Sequence, residues 1–187
     1  MGNPFVYGPK VTGGGFVGRE EELAVIERQL SWGIEVVLYS HRRMGKTSLL
    51  HELARRKPKG LVFAFVDLSG LTSVQRLLEQ LVSKSAEACL GPIDGFDAPE
   101  WNLLRSTGLS MDIAPDGGLA IDFAPSGPTE TETEGALDLP ERLAASQGKS
   151  LVVVFDEFQE IQRFPGAGLE KAMRSHFQTH RHVSYLF

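Results

Sequence analysis

The 187-residue chain contains a single cysteine, Cys89, no cluster of lysines and arginines, and no long apolar run. One cysteine excludes an internal disulfide framework. The longest uninterrupted apolar stretches, such as residues 151–155 (LVVVF), fall far short of the ~20 residues that a membrane-spanning helix needs. The opening MGNPFVYGPK lacks the apolar centre of a signal peptide and carries Val6 where a myristoylation signal wants Ser or Thr. These absences predict a soluble, cytoplasmic protein with no membrane partner. A net charge of -5 and a pI of about 5.6 provide no general electrostatic platform for nucleic acid, so any DNA contact needs another source.

What is present is enough for one core. With 42% hydrophobic and 23% charged residues, the composition predicts one globular domain over residues 1–187. Residues 1–15, rich in proline and glycine and ending in Gly13, Gly14 and Gly15, read as an extended arm. In GREEELAVIERQLSWG the apolar Leu23, Ile26 and Leu30 recur at helical spacing, and three glutamates occupy the first turn, where the helix macrodipole favours them. Residues 34–39 read as a strand, residues 45–57 as a helix stopped by Pro58 and Gly60, and residues 61–67 as a second strand. Thr72 with Gln75 predicts a capping box opening a third helix, which Gly91 closes. This β-α-β-α alternation predicts a parallel sheet covered by helices.

The pattern changes over residues 91–135, which read as an insertion on the core fold. GLSMDIAPDGGLAIDFAP predicts a β-hairpin turning at Asp116, Gly117 and Gly118, and the acidic SGPTETETEG behind it reads as a mobile loop. A short helix is expected over residues 137–146, with Pro140 in its first turn. A buried strand (LVVVF) then runs into Asp156 and Glu157, a final helix covers residues 169–180, and VSYLF begins one more strand. With no turn or cap after it, that strand suggests a fragment of a longer protein.

Two short stretches carry chemistry. SHRRMGKT departs from the phosphate-loop pattern G-x-x-x-x-G-K-[ST] by having Ser40 in place of the first glycine. Gly45 keeps the backbone freedom that lets successive N–H groups face phosphate oxygens at a helix N-terminus. Lys46 is placed to reach the β- and γ-phosphates, and the Thr47 hydroxyl suits Mg²⁺. Met44, Ser48 and Arg43 flank these positions as further nucleotide contacts. The second stretch puts Asp156 and Glu157 at the C-terminal end of a strand, where ligands bind in open α/β sheets. An aspartate there can hold Mg²⁺ beside Thr47, and the adjacent glutamate can activate the attacking water, which makes Glu157 and Lys46 the candidate catalytic residues. The guanine-reading tetrapeptides N-K-x-D and T-K-x-D are absent, which favours ATP over GTP.

FVGREEEL, RRMGKTSLL and VVVFDEFQEI, in that order over nearly the whole chain, resemble the archaeal-type ATPase family of the AAA+/STAND group. The resemblance implies a three-layer α/β/α P-loop NTPase sandwich of the additional-strand type with strand order 5-1-4-3-2, ending here before strand 5 and carrying the hairpin insertion. It implies ATP and Mg²⁺ as ligands, with hydrolysis used as a conformational switch. Phe16, Val17 and Gly18 correspond to a box that lies against the adenine in related ATPases. Sensor, arginine finger, lid and winged-helix domain would all lie beyond Phe187. The implied partners are ATP and ADP, a second copy through the ATPase domain, and an unknown protein; DNA would enter only through a C-terminal domain absent here. The alternatives are a DNA-handling AAA+ factor of initiator or loader type and a non-hydrolysing nucleotide-dependent scaffold. His176, His180 and His182 have metal-like spacing, but no cysteine or H-E-x-x-H glutamate accompanies them.

Overall fold

The computed structural model describes residues 12–39, 44–106, 108–115, 117–164 and 168–187. Helix α1 (Glu20–Ser31) and helix α2 (Lys46–Arg55) precede strand β1 (Leu61–Asp67). Then come α3 (Val74–Leu90), α4 (Ala98–Arg105), β2 (Met111–Ile113), β3 (Leu119–Ile121) and α5 (Glu130–Ser146). The chain closes with β4 (Ser150–Asp156), α6 (Gly168–Phe177) and β5 (Val183–Leu186). No described helix is long and apolar enough to cross a membrane.

β4 pairs in parallel with β1 on one side and β5 on the other, and Val36 forms a parallel bridge to Leu186 on the far side of β5. Taken in sequence, the four sheet segments therefore lie in the spatial order 1-4-3-2, in agreement with the expected arrangement. Residues 34–39 do not form the expected continuous strand. The amides of Val36 and Leu38 donate to Tyr185 and Phe187 at 3.0 and 2.8 Å, but the segment has this one bridge, while Val37 and Tyr39 are exposed. Glu35, Val37 and Tyr39, which alternate with the sheet-facing Val36 and Leu38, face away from the cores and give the run little burial to hold it flat on the sheet.

The sheet is covered on both faces because β4 alternates perfectly between them. Leu151, Val153 and Phe155 join Ala64, Val66 and Tyr185 in a core roofed by α3, α5 and α6. Val152 and Val154 join Leu186 in a second core with Leu23, Ile26 and Leu30 of α1 and Leu49, Leu50 and Leu53 of α2. Each such fully buried apolar side chain contributes roughly 1.5–3 kcal/mol. Three layers follow from one strand with no polar side chain between Ser150 and Asp156.

Between α3 and β4 the structure corrects several expectations. α3 is capped by Ser73, whose hydroxyl accepts from the Arg76 amide at 3.3 Å, one residue later than the Thr72 box. The hairpin of β2 and β3 forms in antiparallel register, although Asp116 at its turn lies outside the described residues. The acidic stretch is not a loop. Thr129 and Glu132 form a capping box, and α5 begins with the TETETE run, its Glu130 and Glu132 in the first turn, where they complement the macrodipole. Pro140 consequently sits deep in α5 rather than in a first turn, at the loss of one backbone hydrogen bond. α4, which the periodicity did not suggest, starts at an Asp97/Glu100 capping box with proline in its first turn. The last helix stops at Phe177, three residues short of the expected end.

The first helices are held together by a charge cluster. Glu52 of α2 is buried, accepts from Arg55 and Arg56 at 2.8–2.9 Å and from the Gly13 amide at 2.7 Å, and Arg56 also bridges to Glu20 of α1. The neighbouring Arg55 guanidinium, with the Gly13 amide, holds the Glu52 carboxyl well below the usual carboxylate range. Residues 13–15 are thereby a docked 3-10 turn and not part of an extended arm; residues 1–11 lie outside the described residues.

Candidate nucleotide and metal site

The site is built at the C-terminal edge of the sheet. α2 begins at Lys46, directly after Gly45, which takes the left-handed conformation (φ 73°, ψ 26°) that only glycine adopts at little cost. Buried Leu49, Leu50 and Leu53 fix the helix on the sheet, so the position of its first turn is set by core packing. The Leu49 amide closes that turn on the Gly45 carbonyl at 2.9 Å. Lys46, Thr47 and Ser48 thus occupy the first three helical positions, where the positive end of the macrodipole favours an anion. Arg43, expected as a further contact, and Ser40, which stands where the pattern has its first glycine, lie outside the described residues, and Met44 is exposed.

The apolar run of β4 ends at Asp156, and the two stretches meet there. Thr47 Oγ1 donates to Asp156 Oδ2 at 2.9 Å across 109 residues of sequence. The other carboxylate oxygen, Oδ1, accepts from the Glu157 amide at 3.0 Å, so both oxygens of Asp156 are oriented. Glu157 follows in the left-handed region (φ 53°, ψ 41°), and its carboxylate accepts from the Gln159 side-chain amide. A non-glycine residue in that conformation costs on the order of 1–2 kcal/mol, so the chain stores strain at the residue after Asp156. Glu157→Gly should accordingly be more stable than Glu157→Ala by about 1 kcal/mol, the reverse of the usual order for these two residues. Urea unfolding of the two variants measures this, and a more stable Ala variant would contradict it.

Two placements near the site had no clear local signal. Asp67 at the end of β1 stands in register with Asp156, which adds a second carboxylate to the same edge; its Oδ1 accepts from the Ser69 amide at 2.8 Å. Its clue was an acid at the end of a neighbouring strand. Arg19, in the FVGRE box, donates to the carbonyls of Met44 and Gly45 at 3.0 and 3.4 Å. The three residues before it behave differently from one another. Phe16 is half-buried against the α1/α2 core, Val17 is 85% exposed, and Gly18 takes φ 69°.

The histidines sit elsewhere, on the carboxylates of α5. His176 Nδ1 lies 2.6 Å from Asp138, His182 Nδ1 lies 2.7 Å from Glu141, and His180 Nδ1 lies 2.6 Å from the buried Tyr185 hydroxyl. Burial pushes the His180 imidazole down, against the pull of Asp138. Cys89 is buried, which pushes its thiol up to about 11 and leaves it a small core residue.

No family model matches the chain, and no curated protein matches it. Among solved structures it is similar to the Walker-type ATPase Paby2304 of Pyrococcus abyssi, with a TM-score of 0.58 and 16% sequence identity, over 98% of this chain and 48% of that one. The chain spans about half the length of that protein. With the parallel sheet, its two helical layers and the glycine-led helix at the sheet's C-terminal edge, this likeness gives the chain the fold of a P-loop NTPase.

Proposed function

We propose that this chain is an ATP-binding and ATP-hydrolysing module that requires Mg²⁺ and uses hydrolysis as a conformational switch, in the manner of AAA+/STAND ATPases. The observation that carries the proposal is the hydrogen bond from Thr47 to Asp156. Two residue types suited to a hard cation, on elements far apart in sequence, converge at the N-terminus of α2. A Walker-type ATPase as structural neighbour agrees with it.

In this reading Gly45, Lys46, Thr47 and Ser48 receive the phosphates on backbone amides, with Lys46 as the mobile positive charge. Thr47 and Asp156 are the residues that would hold Mg²⁺, and their two oxygens, a hydroxyl and a carboxylate, fit its preference for oxygen ligands. The ion would supply neutralisation of phosphate charge. Glu157 accepts the proton of the attacking water, and the Gln159 amide orients its carboxylate. Phe16, Val17 and Gly18, linked to the loop by the adjacent Arg19, form the base side of the site, with Met44 and Arg43 flanking. Residues 91–135, the last of which belong to the first turns of α5, are read as an insertion in one ATPase domain.

Thermal unfolding with ATP tests the reading. Nucleotide in Mg²⁺ at ~100 times Kd should stabilise the protein by about 2.7 kcal/mol. Chelation with EDTA should remove most of the gain, and Lys46→Ala should remove it altogether. No shift with ATP, or an equal shift without Mg²⁺, would overturn the assignment.

A further inference from the structure

A phosphate loop works only if its peptide units are turned correctly. In a trans peptide the C=O and the following N–H point in opposite directions, so whatever holds a carbonyl on one side of the chain aims the next amide to the other. The Gly45 carbonyl is held by the Leu49 amide at 2.9 Å, and the fold of α2 thus fixes the Lys46 N–H without further help. The peptide before it is outside the helix. Its carbonyl, that of Met44, accepts from Arg19 Nη1 at 3.0 Å, and the same nitrogen lies 3.4 Å from the Gly45 carbonyl.

We propose that Arg19 is a positioning residue of the phosphate loop: by holding the Met44 carbonyl it turns the Gly45 N–H toward the phosphates. The inference rests on the nucleotide-binding reading above. Gly45, at φ 73°, has no side chain to resist rotation of the preceding peptide, and so an external tether is needed there. Arginine suits the task because its planar fork makes several directed bonds at once. Here the fork is itself braced, since Nε and Nη2 both meet the Glu22 carboxylate at 2.5 Å, leaving Nη1 for the loop. Glu22 is in the first turn of α1, whose apolar face is buried on the sheet; the tether is therefore anchored to the core.

The test compares ADP with AMP, because the loop grips the phosphates beyond the first. In competition against a fluorescent nucleotide, Arg19→Ala should weaken ADP by about tenfold, the value of one charge-assisted hydrogen bond, and leave AMP unchanged. Arg19→Lys, which keeps the charge but not the fork, should recover only part of the loss. Glu22→Gln, which loosens the brace without touching the loop, should lower the ADP-to-AMP ratio by about twofold to threefold and serves in place of Arg19→Ala if that variant does not fold. Equal losses for ADP and AMP would make Arg19 a base contact and overturn the proposal; so would full rescue by lysine or an unchanged ratio. If the wild-type protein and Lys46→Ala bind ADP alike, the nucleotide-binding reading itself has failed, which is a separate outcome.

Discussion

Glu157→Gln is expected to slow phosphate release by about 10²–10⁴-fold while MgATP remains bound with unchanged or slightly higher affinity. The amide is isosteric with the carboxylate and can still accept from Gln159, so the left-handed turn after β4 keeps its side-chain contact. What it cannot do is take a proton. A carboxylate near the γ-phosphate also repels the nucleotide's charge, and removing it cannot weaken ATP binding by electrostatics. Single-turnover assays with saturating MgATP separate the two effects. A rate equal to wild type would mean that another group activates the water; a collapse of ATP affinity would mean that Glu157 supports the site's structure and is not its base.

The parts of this site that sequence revealed are those with a local signature. Gly45, Lys46 and Thr47 lead a helix whose apolar stripe is visible, and five consecutive apolar residues point to Asp156; core packing then brings both to one edge of the sheet. The spatial order of the sheet segments followed from the family resemblance, since no local pattern states which strand lies beside which. The acidic TETETE run is a helix start that its composition disguises. Charge-rich, apolar-poor stretches read as solvated, yet the T-x-x-E box of Thr129 and Glu132 marked a helix start whose burial begins only at Ala136. The same kind of box at Asp97 and Glu100 opens α4, whose eight residues are too few for an apolar period to show. Two features left no trace in the sequence. The reach of Arg19 to Met44 spans 25 residues between a helix start and a loop, and the left-handed backbone of Glu157 is imposed by the turn out of β4.

Asp156→Ala is expected to act on the metal and not on the nucleotide. Its carboxylate accepts from both the Thr47 hydroxyl and the Glu157 amide, so the substitution removes the proposed metal-side ligand and leaves two donors to find water. Mg²⁺-dependent ATP binding should fall on the order of 10–100-fold. Binding measured in EDTA should stay the same or tighten, because a negative charge has been taken from beside the triphosphate. The opposite signs in the two buffers are the discriminating result, since general unfolding of the site would weaken both. Thr47→Ala should reproduce part of the Mg²⁺-dependent loss. Because the two side chains share one hydrogen bond, the double variant should lose less than the sum of the two single losses. Full additivity in titration calorimetry would show that Thr47 and Asp156 act independently, and the convergence on which the proposed function rests would then have no role in holding the ion.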